Sequence, residues 1–373
     1  MFRGVNLAPT RGNSNTGSFV RDQYYWSYLD QQEWYLSRLR SFRVQSLRIP
    51  VNVVTAQNAT ALLRMRSFAE RATGGRVVIV MFDSYTDTSR TDEELMAAYS
   101  HGDGKVNSVS EFAAAWAAAH AVFRETSALY EILNEPFGYG SNAREYVREM
   151  ERIIALARLP RERCILDGLK YAENVKGVAA AGWDGLLGYH YYPFYLKTSE
   201  EWRHEERMYS DISPVADRVV ITEFGADLRL RAEDVACIRG MAAAVARLRG
   251  EGRGVLGAYQ WHGWHNHDNY DLWDAENREG AELISWFLEG FADEPPLPPS
   301  PPSVPPLAPC PADTWSPSWA ESPTAACDVW AFNERWGALQ GGRTLAEACG
   351  LQWAGKNCAG TCCRAVTYAL EET

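Results

Sequence analysis

The sequence predicts an α/β fold, a (β/α)8 barrel of the TIM type, followed by a proline-rich linker and a small disulfide-rich C-terminal module. Three observations predict it. Over the first 290 or so residues, eight apolar strand-like runs alternate with helical patterns. At Glu294 the composition changes, and nine of the next fifteen residues are proline. Six of the eight cysteines then crowd the last 64 residues. The expected boundaries are 1–293 for the barrel, 294–309 for the linker and 310–373 for the module. An open, doubly wound sheet would want a glycine-rich phosphate loop after an early strand, and no such loop is present.

The strand candidates are 3–7, 46–51, 77–82, 128–133, 164–168, 186–191, 219–224 and 255–261. Each is a short apolar run, as suits parallel strands covered on both faces. Between them lie helical patterns. Residues 30–42 place Trp34, Leu36 and Leu39 on one face, and 59–72 place Leu62, Leu63, Met65 and Phe68. Residues 110–126 are alanine-rich and follow a capping region at Ser108 and Ser110. In 142–159, Tyr146, Val147, Met150, Ile153, Ile154 and Ala157 recur at helical spacing. Short helical turns are expected near 175–181 and 213–217, and longer helices at 232–249 and 279–291. The stretches 83–107 and 197–211 read as polar loops walling a cleft.

Composition limits the partners. The net charge of −11 argues against nucleic acid and anionic membranes. No apolar run approaches the roughly 18 residues of a membrane span. A strand-like start at Arg3 leaves no visible signal peptide. The 14 Trp, 18 Tyr and 13 Phe could supply flat stacking surfaces as well as core.

A parallel barrel brings the carboxyl ends of its strands to one face, where its chemistry is placed. Strand four runs out through Tyr130-Glu131-Ile132-Leu133-Asn134-Glu135-Pro136, and proline ends the ladder. Strand two ends Leu47-Arg48-Ile49-Pro50, strand six His190-Tyr191-Tyr192-Pro193, strand seven Thr222-Glu223-Phe224-Gly225, and strand eight Gln260-Trp261-His262-Gly263-Trp264. Two of these ends carry carboxylates, Glu135 and Glu223. A carboxyl pair flanking one bond is what glycoside hydrolysis needs, one protonated and one ionised. A neighbouring Arg48 would favour the charged form of Glu223, and Tyr192 could donate to it. His190 and Asn134 could position a sugar hydroxyl, and Trp261 could floor the ring. Each residue has a plainer reading: an ion-pair partner for Arg48, a satisfied core histidine for His190, a cap for Glu223.

As an ordered set, Leu-Arg-Ile-Pro-Val, Leu-Asn-Glu-Pro, His-Tyr-Tyr, Ile-Thr-Glu-Phe-Gly and a late Tyr-Gln-Trp resemble glycoside hydrolase family 5 over residues 3 to about 292. The resemblance implies a retaining, cellulase-type (β/α)8 glycosidase that needs no cofactor or metal. It matches Glu135 to the acid/base and Glu223 to the nucleophile. It matches Arg48, Asn134, His190, Tyr192 and Trp261 to supporting, substrate-binding residues. One position departs: Asp83 stands where the family usually has a histidine at the end of strand three, in the first sugar subsite. A β-1,4-glucan is the first substrate the resemblance suggests and β-mannan the second, with a monomeric enzyme expected. Two readings from other classes compete. A non-catalytic carbohydrate-binding barrel would be marked by loss of a glutamate, and both are present. A serine hydrolase would want a Gly-x-Ser-x-Gly elbow, which is absent.

Three histidines in 262–267 invite a metal reading, but no spaced cysteine or glutamate accompanies them, so a polar loop with Trp264 lining a sugar subsite is expected. The proline run reads as a polyproline II spacer of roughly 45 Å. Cys310, Cys327, Cys349, Cys358, Cys362 and Cys363 read as three disulfides of an exported protein. The sequon at Asn58 points the same way. The ending Lys356–Cys363 is weakly similar to ShK-toxin-like modules. Trp315, Trp319, Trp330, Trp336 and Trp353 serve there either as core or as a carbohydrate-binding surface.

Overall fold

The computed structural model describes residues 2–7, 32–51, 53–56, 58–81, 104–265 and 267–291. Eight parallel strands close into a barrel in chain order, each paired with the next and β8 with β1. They are β1 Phe2–Asn6, β2 Ser46–Val51, β3 Val77–Met81, β4 Leu129–Glu131, β5 Cys164–Asp167, β6 Leu186–Tyr191, β7 Val219–Phe224 and β8 Gly257–Gln260. Outside them lie α1 Gln32–Ser41, α2 Ala59–Thr73, α3 Val109–Phe123, α4 Ala143–Leu156, α5 Val175–Ala180, α6 Glu201–Ile212, α7 Ala232–Gly250 and α8 Arg278–Glu289. The predicted (β/α)8 architecture is therefore the observed one. The linker, the cysteine-rich module and its proposed disulfides lie outside the described residues. Cys164 and Cys237, which are described, are free and buried. Among the described residues, no helix is long and apolar enough to cross a membrane.

Two expectations are corrected. The ladder of β4 stops at Glu131, although Ile132 N still donates to Ile165 O at 3.0 Å and Asn134 N to Met81 O at 2.9 Å. Asn134 and Glu135 thus follow the strand on an extended stem. The expected loop 197–211 is mostly helix α6, which buries His204, Met208 and Ile212. Its run of Glu and Arg hid the face: only three positions at i, i+4 and i+8 need be covered. Its Tyr209 lies under Arg247 of α7, 3.7 Å from ring centroid to guanidinium carbon, and donates to Glu251, so it packs between helices.

The sequence builds the helix ends locally. Asn58, the sequon asparagine, caps α2 by accepting from Ala61 N, and Ser108 and Asn142 cap α3 and α4 the same way. The helices bury their apolar faces against the outside of the barrel in one large cluster that includes Leu62, Met65, Phe68, Phe112, Trp116, Tyr146 and Met150.

The barrel interior is a separate construction. Side chains alternate in and out along each strand, so inward residues form layers drawn from alternate strands. Val78, Ile165 and Val220 of β3, β5 and β7 form an apolar plug with Tyr259. In β1 the matching residue is Gly4, and a Cβ there would lie 2.2 Å from the Tyr259 ring, so glycine is required for the ring to fit. Two residues onward the same strands carry Asn6, Val80, Asp167 and Thr222. Polarity thus enters the barrel one layer above the plug.

Candidate active site

Arg48 is the centre of this polar interior. It is fully buried on β2 and every nitrogen of its guanidinium donates to an acceptor on a strand or strand exit. Nε and Nη2 make a fork onto both oxygens of Glu131, at 2.7 and 2.6 Å. Nη1 donates to Asn6 Oδ1 at 2.8 Å and to Glu223 Oε1 at 2.6 Å, and Nη2 also donates to Asn134 Oδ1 at 2.6 Å. A fixed planar fork suits this multidentate role as a lysine would not. Asn6 is held in turn by donating to the carbonyls of Thr222, Tyr259 and Gln260.

Glu223 comes from β7 and is nearly buried. Its Oε1 accepts from Arg48, and its Oε2 accepts from the Tyr192 hydroxyl at 2.8 Å. Burial, with Glu223 and Glu135 close by, raises Tyr192 well above the ordinary phenol value, so it stays a donor. The Tyr192 ring packs with Trp261, Tyr195 and Tyr270 at the barrel mouth.

Glu135 reaches the same point from β4. Its φ is +44°, a left-handed conformation uncommon outside glycine that costs on the order of 1–3 kcal/mol. Pro136 follows with φ −75° and ψ 52°, and Phe137 N donates to Glu135 O at 2.7 Å, an inverse γ-turn. The turn reverses the chain at the strand exit, and the Glu135 carboxyl lies beside His190. His190 Nδ1 lies 2.9 Å from Glu135 Oε1 and 3.7 Å from Glu223 Oε2. One carboxylate oxygen from each glutamate and one nitrogen of His190 all fall within 4.8 Å of one another.

His190 is charged. Burial alone would lower its pKa, but Glu223, Glu131, Glu135 and Asp167 outweigh that and hold it well above the usual histidine value. Glu131 shows the same balance from the acid side. Burial would raise it, but Arg48 and His190 hold it well below the ordinary carboxylate range. Asp167 goes the other way: burial and the neighbouring Glu131 raise it well above the ordinary carboxylate value.

The structure therefore brings together Arg48, Asn134, Glu135, His190, Tyr192 and Glu223, with Trp261 beside Tyr192. His190 and Asn134 are engaged within the protein: His190 contacts Glu135, and Asn134 accepts from Arg48. Trp264 stacks on Tyr35 of α1, with centroids 5.1 Å apart and planes at 17°. Asp83 lies outside the described residues. Each histidine of the 262–267 loop has an aspartate partner: His262 with Asp268, His265 with Asp271, His267 with Asp274, at 2.8–3.1 Å. Each pairing fixes a ring and ties down the loop after β8.

Two members of the cluster, Glu131 and Asp167, were not singled out from the sequence. The signal was available. A carboxylate inside Leu-Tyr-Glu-Ile-Leu or Cys-Ile-Leu-Asp-Gly, in a strand covered on both faces, must find a buried partner.

No protein-family model matches the chain, and no curated protein sequence does. Solved structures do match it. XacCel5A in complex with cellopentaose aligns with a TM-score of 0.53 at 14% identity, over 77% of this chain and 98% of that one. The endocellulase of Pyrococcus horikoshii in complex with cellotetraose aligns at 0.53 and 12% identity, over 79% and 93%. A family 5 xyloglucanase from Paenibacillus pabuli aligns at 0.50 and 14% identity, over 78% and 98%. Identities this low establish a shared (β/α)8 fold, and the likeness spans nearly the whole of each of those chains.

Proposed function

We propose that the chain is a retaining β-glycosidase of the cellulase type, belonging to glycoside hydrolase family 5, that cleaves a β-linked polysaccharide internally. The observation that carries this reading is the carboxyl pair, with oxygens of Glu135 and Glu223 within 4.8 Å of each other. Retaining glycosidases hold their carboxyls roughly 5 Å apart, whereas inverting enzymes leave room for a water at about 6.5–9.5 Å. Support also comes from the motif order along the strands, and from structural neighbours solved with cello-oligosaccharides.

The chemistry follows from the contacts. Arg48 and Tyr192 each hold one oxygen of Glu223 and so fix the lone pair that attacks the anomeric carbon. Glu135 donates its proton to the departing glycosidic oxygen, and that bond breaks as the Glu223–carbon bond forms. Glu135, now ionised, takes a proton from water, whose oxygen displaces Glu223 with retained configuration. His190 Nδ1, 2.9 Å from Glu135 Oε1, is placed to donate to the ionised form between the two steps.

Within this class β-1,4-glucan is the proposed substrate, with β-1,4-mannan second. The proline linker and cysteine-rich module are proposed to belong to an exported enzyme and to hold it on insoluble polymer. Incubating purified protein with glucan, mannan and xylan, and reading new reducing ends, tests the substrate. The expected result is fastest release from soluble β-1,4-glucan with β product formed first by proton NMR. An α product would overturn the retaining mechanism.

A further inference from the structure

The barrel interior holds a carboxyl group that the double displacement does not use. Asp167 ends β5, is fully buried, and lies beside the carboxyl pair. Its Oδ2 accepts from the main-chain N–H of Glu135 at 3.0 Å. Its Oδ1 is buried with no hydrogen-bond partner among the described residues. The sequence makes room for this oxygen. A Cβ on the facing Gly188 of β6 would stand 1.9 Å from Asp167 Oδ1, so any other residue there would displace the carboxyl. A buried polar atom without a partner is costly, and so is a left-handed glutamate. The strained residue and the buried carboxyl meet at one hydrogen bond, the one from Glu135 N to Asp167 Oδ2.

We propose that Asp167 is the positioning residue of the acid/base: by accepting the Glu135 N–H it fixes the left-handed turn that aims the Glu135 carboxyl at Glu223. The contact explains why the strand exit can hold a φ of +44° with no glycine there. It also explains the local sequence, since β5 must end on a side chain of one length and β6 must offer a glycine beside it. Asp167 touches no reacting atom in this scheme and acts only through the main chain of Glu135. The inference rests on reading Glu135 as the acid/base.

A change in leaving group separates this role from a merely structural one. General acid assistance matters for a poor leaving group and little for an activated one. In Asp167→Ala the acceptor is gone. Expected is a 10- to 100-fold fall in kcat/KM on an unactivated cello-oligosaccharide, with kcat/KM on the 2,4-dinitrophenyl glycoside within about threefold of the parent. In Asp167→Asn an acceptor oxygen remains, and both substrates should stay within about threefold. Equal losses on both substrates in Asp167→Ala, or more than a tenfold loss on either in Asp167→Asn, would overturn the proposal. If Asp167→Ala does not fold, Gly188→Ala displaces the carboxyl instead and should show the same selective loss.

A crystal structure of the variant supplies a reading that needs no activity. Residue 135 leaving the left-handed region supports the role of Asp167, and an unchanged φ overturns it. A parent protein inert on every sugar polymer would sink the glycosidase reading while leaving this structural arm to decide the positioning role.

Discussion

Val78, Ile165, Val220 and Tyr259 fill the lower barrel with apolar surface, while Asn6, Asp167 and Thr222, two residues further along some of the same strands, lie in a buried polar layer with Arg48, Glu131, His190, Glu135 and Glu223. Both layers are buried, but the physics holding them differs. The lower layer gains from the transfer of hydrocarbon out of water, roughly 1.5–3 kcal/mol for each large side chain fully covered. The upper layer pays several kcal/mol of desolvation per ion and recovers it only through paired geometry. A protein selected for stability alone would have continued the plug upward. On the proposed reading of Glu223 as nucleophile and Glu135 as acid, the charged layer is the cost of holding those two groups within hydrogen-bonding reach of rigid strands.

Removing the chemistry while keeping the layer should give the largest effect. Glu223→Gln preserves the shape and an acceptor for Arg48 Nη1 but not the nucleophile. Turnover should fall by about four orders of magnitude or more, with an unfolding transition close to that of the parent. Residual hydrolysis above about one per cent of the parent rate would break the assignment. Glu135→Ala should cost about 10²–10⁴ on unactivated substrates.

Breaking the layer itself comes next. Arg48→Met leaves Glu131 buried without its guanidinium fork. Urea unfolding should show a loss of about 3–5 kcal/mol, together with loss of activity. Adding Glu131→Gln removes the stranded charge. The double variant should recover part of that stability and none of the activity. No recovery of stability would mean that Glu131 was not the source of the loss.

The lower layer should respond in the opposite manner. Ile165→Ala opens a cavity in the plug and should cost about 2–5 kcal/mol of stability. Because strands β5 and β7 still carry Asp167 and Glu223, kcat/KM at a temperature where the variant is folded should change less than about threefold. A much larger kinetic effect would show that the two layers are mechanically coupled.

The difference between the layers also explains what could be read from the sequence. Strands β2, β6 and β7 were legible to the residue, because each is a short, largely apolar run between polar or turn-forming neighbours. Glu135 and Glu223 were legible because polar groups at strand ends have one destination in a parallel barrel. Glu131 and Asp167 were less so. They look like interruptions of apolar strands, and their meaning depends on Arg48 and Gly188, which lie far away in sequence and meet them only when the barrel closes. The left-handed turn at Glu135 was not legible at all, since nothing in Asn-Glu-Pro demands a positive φ without the acceptor on β5. Helix α6 was obscured by its charge, because burying only His204, Met208 and Ile212 leaves most of its surface polar.

The smallest effect is also the one most specific to the upper layer. Asp167 is buried next to Glu131, and burial raises its pKa above the ordinary carboxylate value of the unfolded chain. For a group raised in this way, the folded state binds the proton more tightly than the unfolded state. Its contribution is fully present below the unfolded value, near pH 4, and is lost as pH rises through the folded value. Glu131, depressed by Arg48, has the opposite sign: its contribution is present above the unfolded value and lost as pH falls. Asp167→Asn removes the first titration and leaves the second in place, so the difference between the two proteins isolates Asp167. The Asn variant should gain stability relative to the parent as pH rises from about 4 toward neutrality, with the gap closing again below pH 4. Thermal melts in a series of buffers measure it directly. A gap that is flat with pH would show that Asp167 is ionised in the folded protein, and the upper layer would then hold one more unbalanced charge than the contacts of Arg48 and His190 can explain.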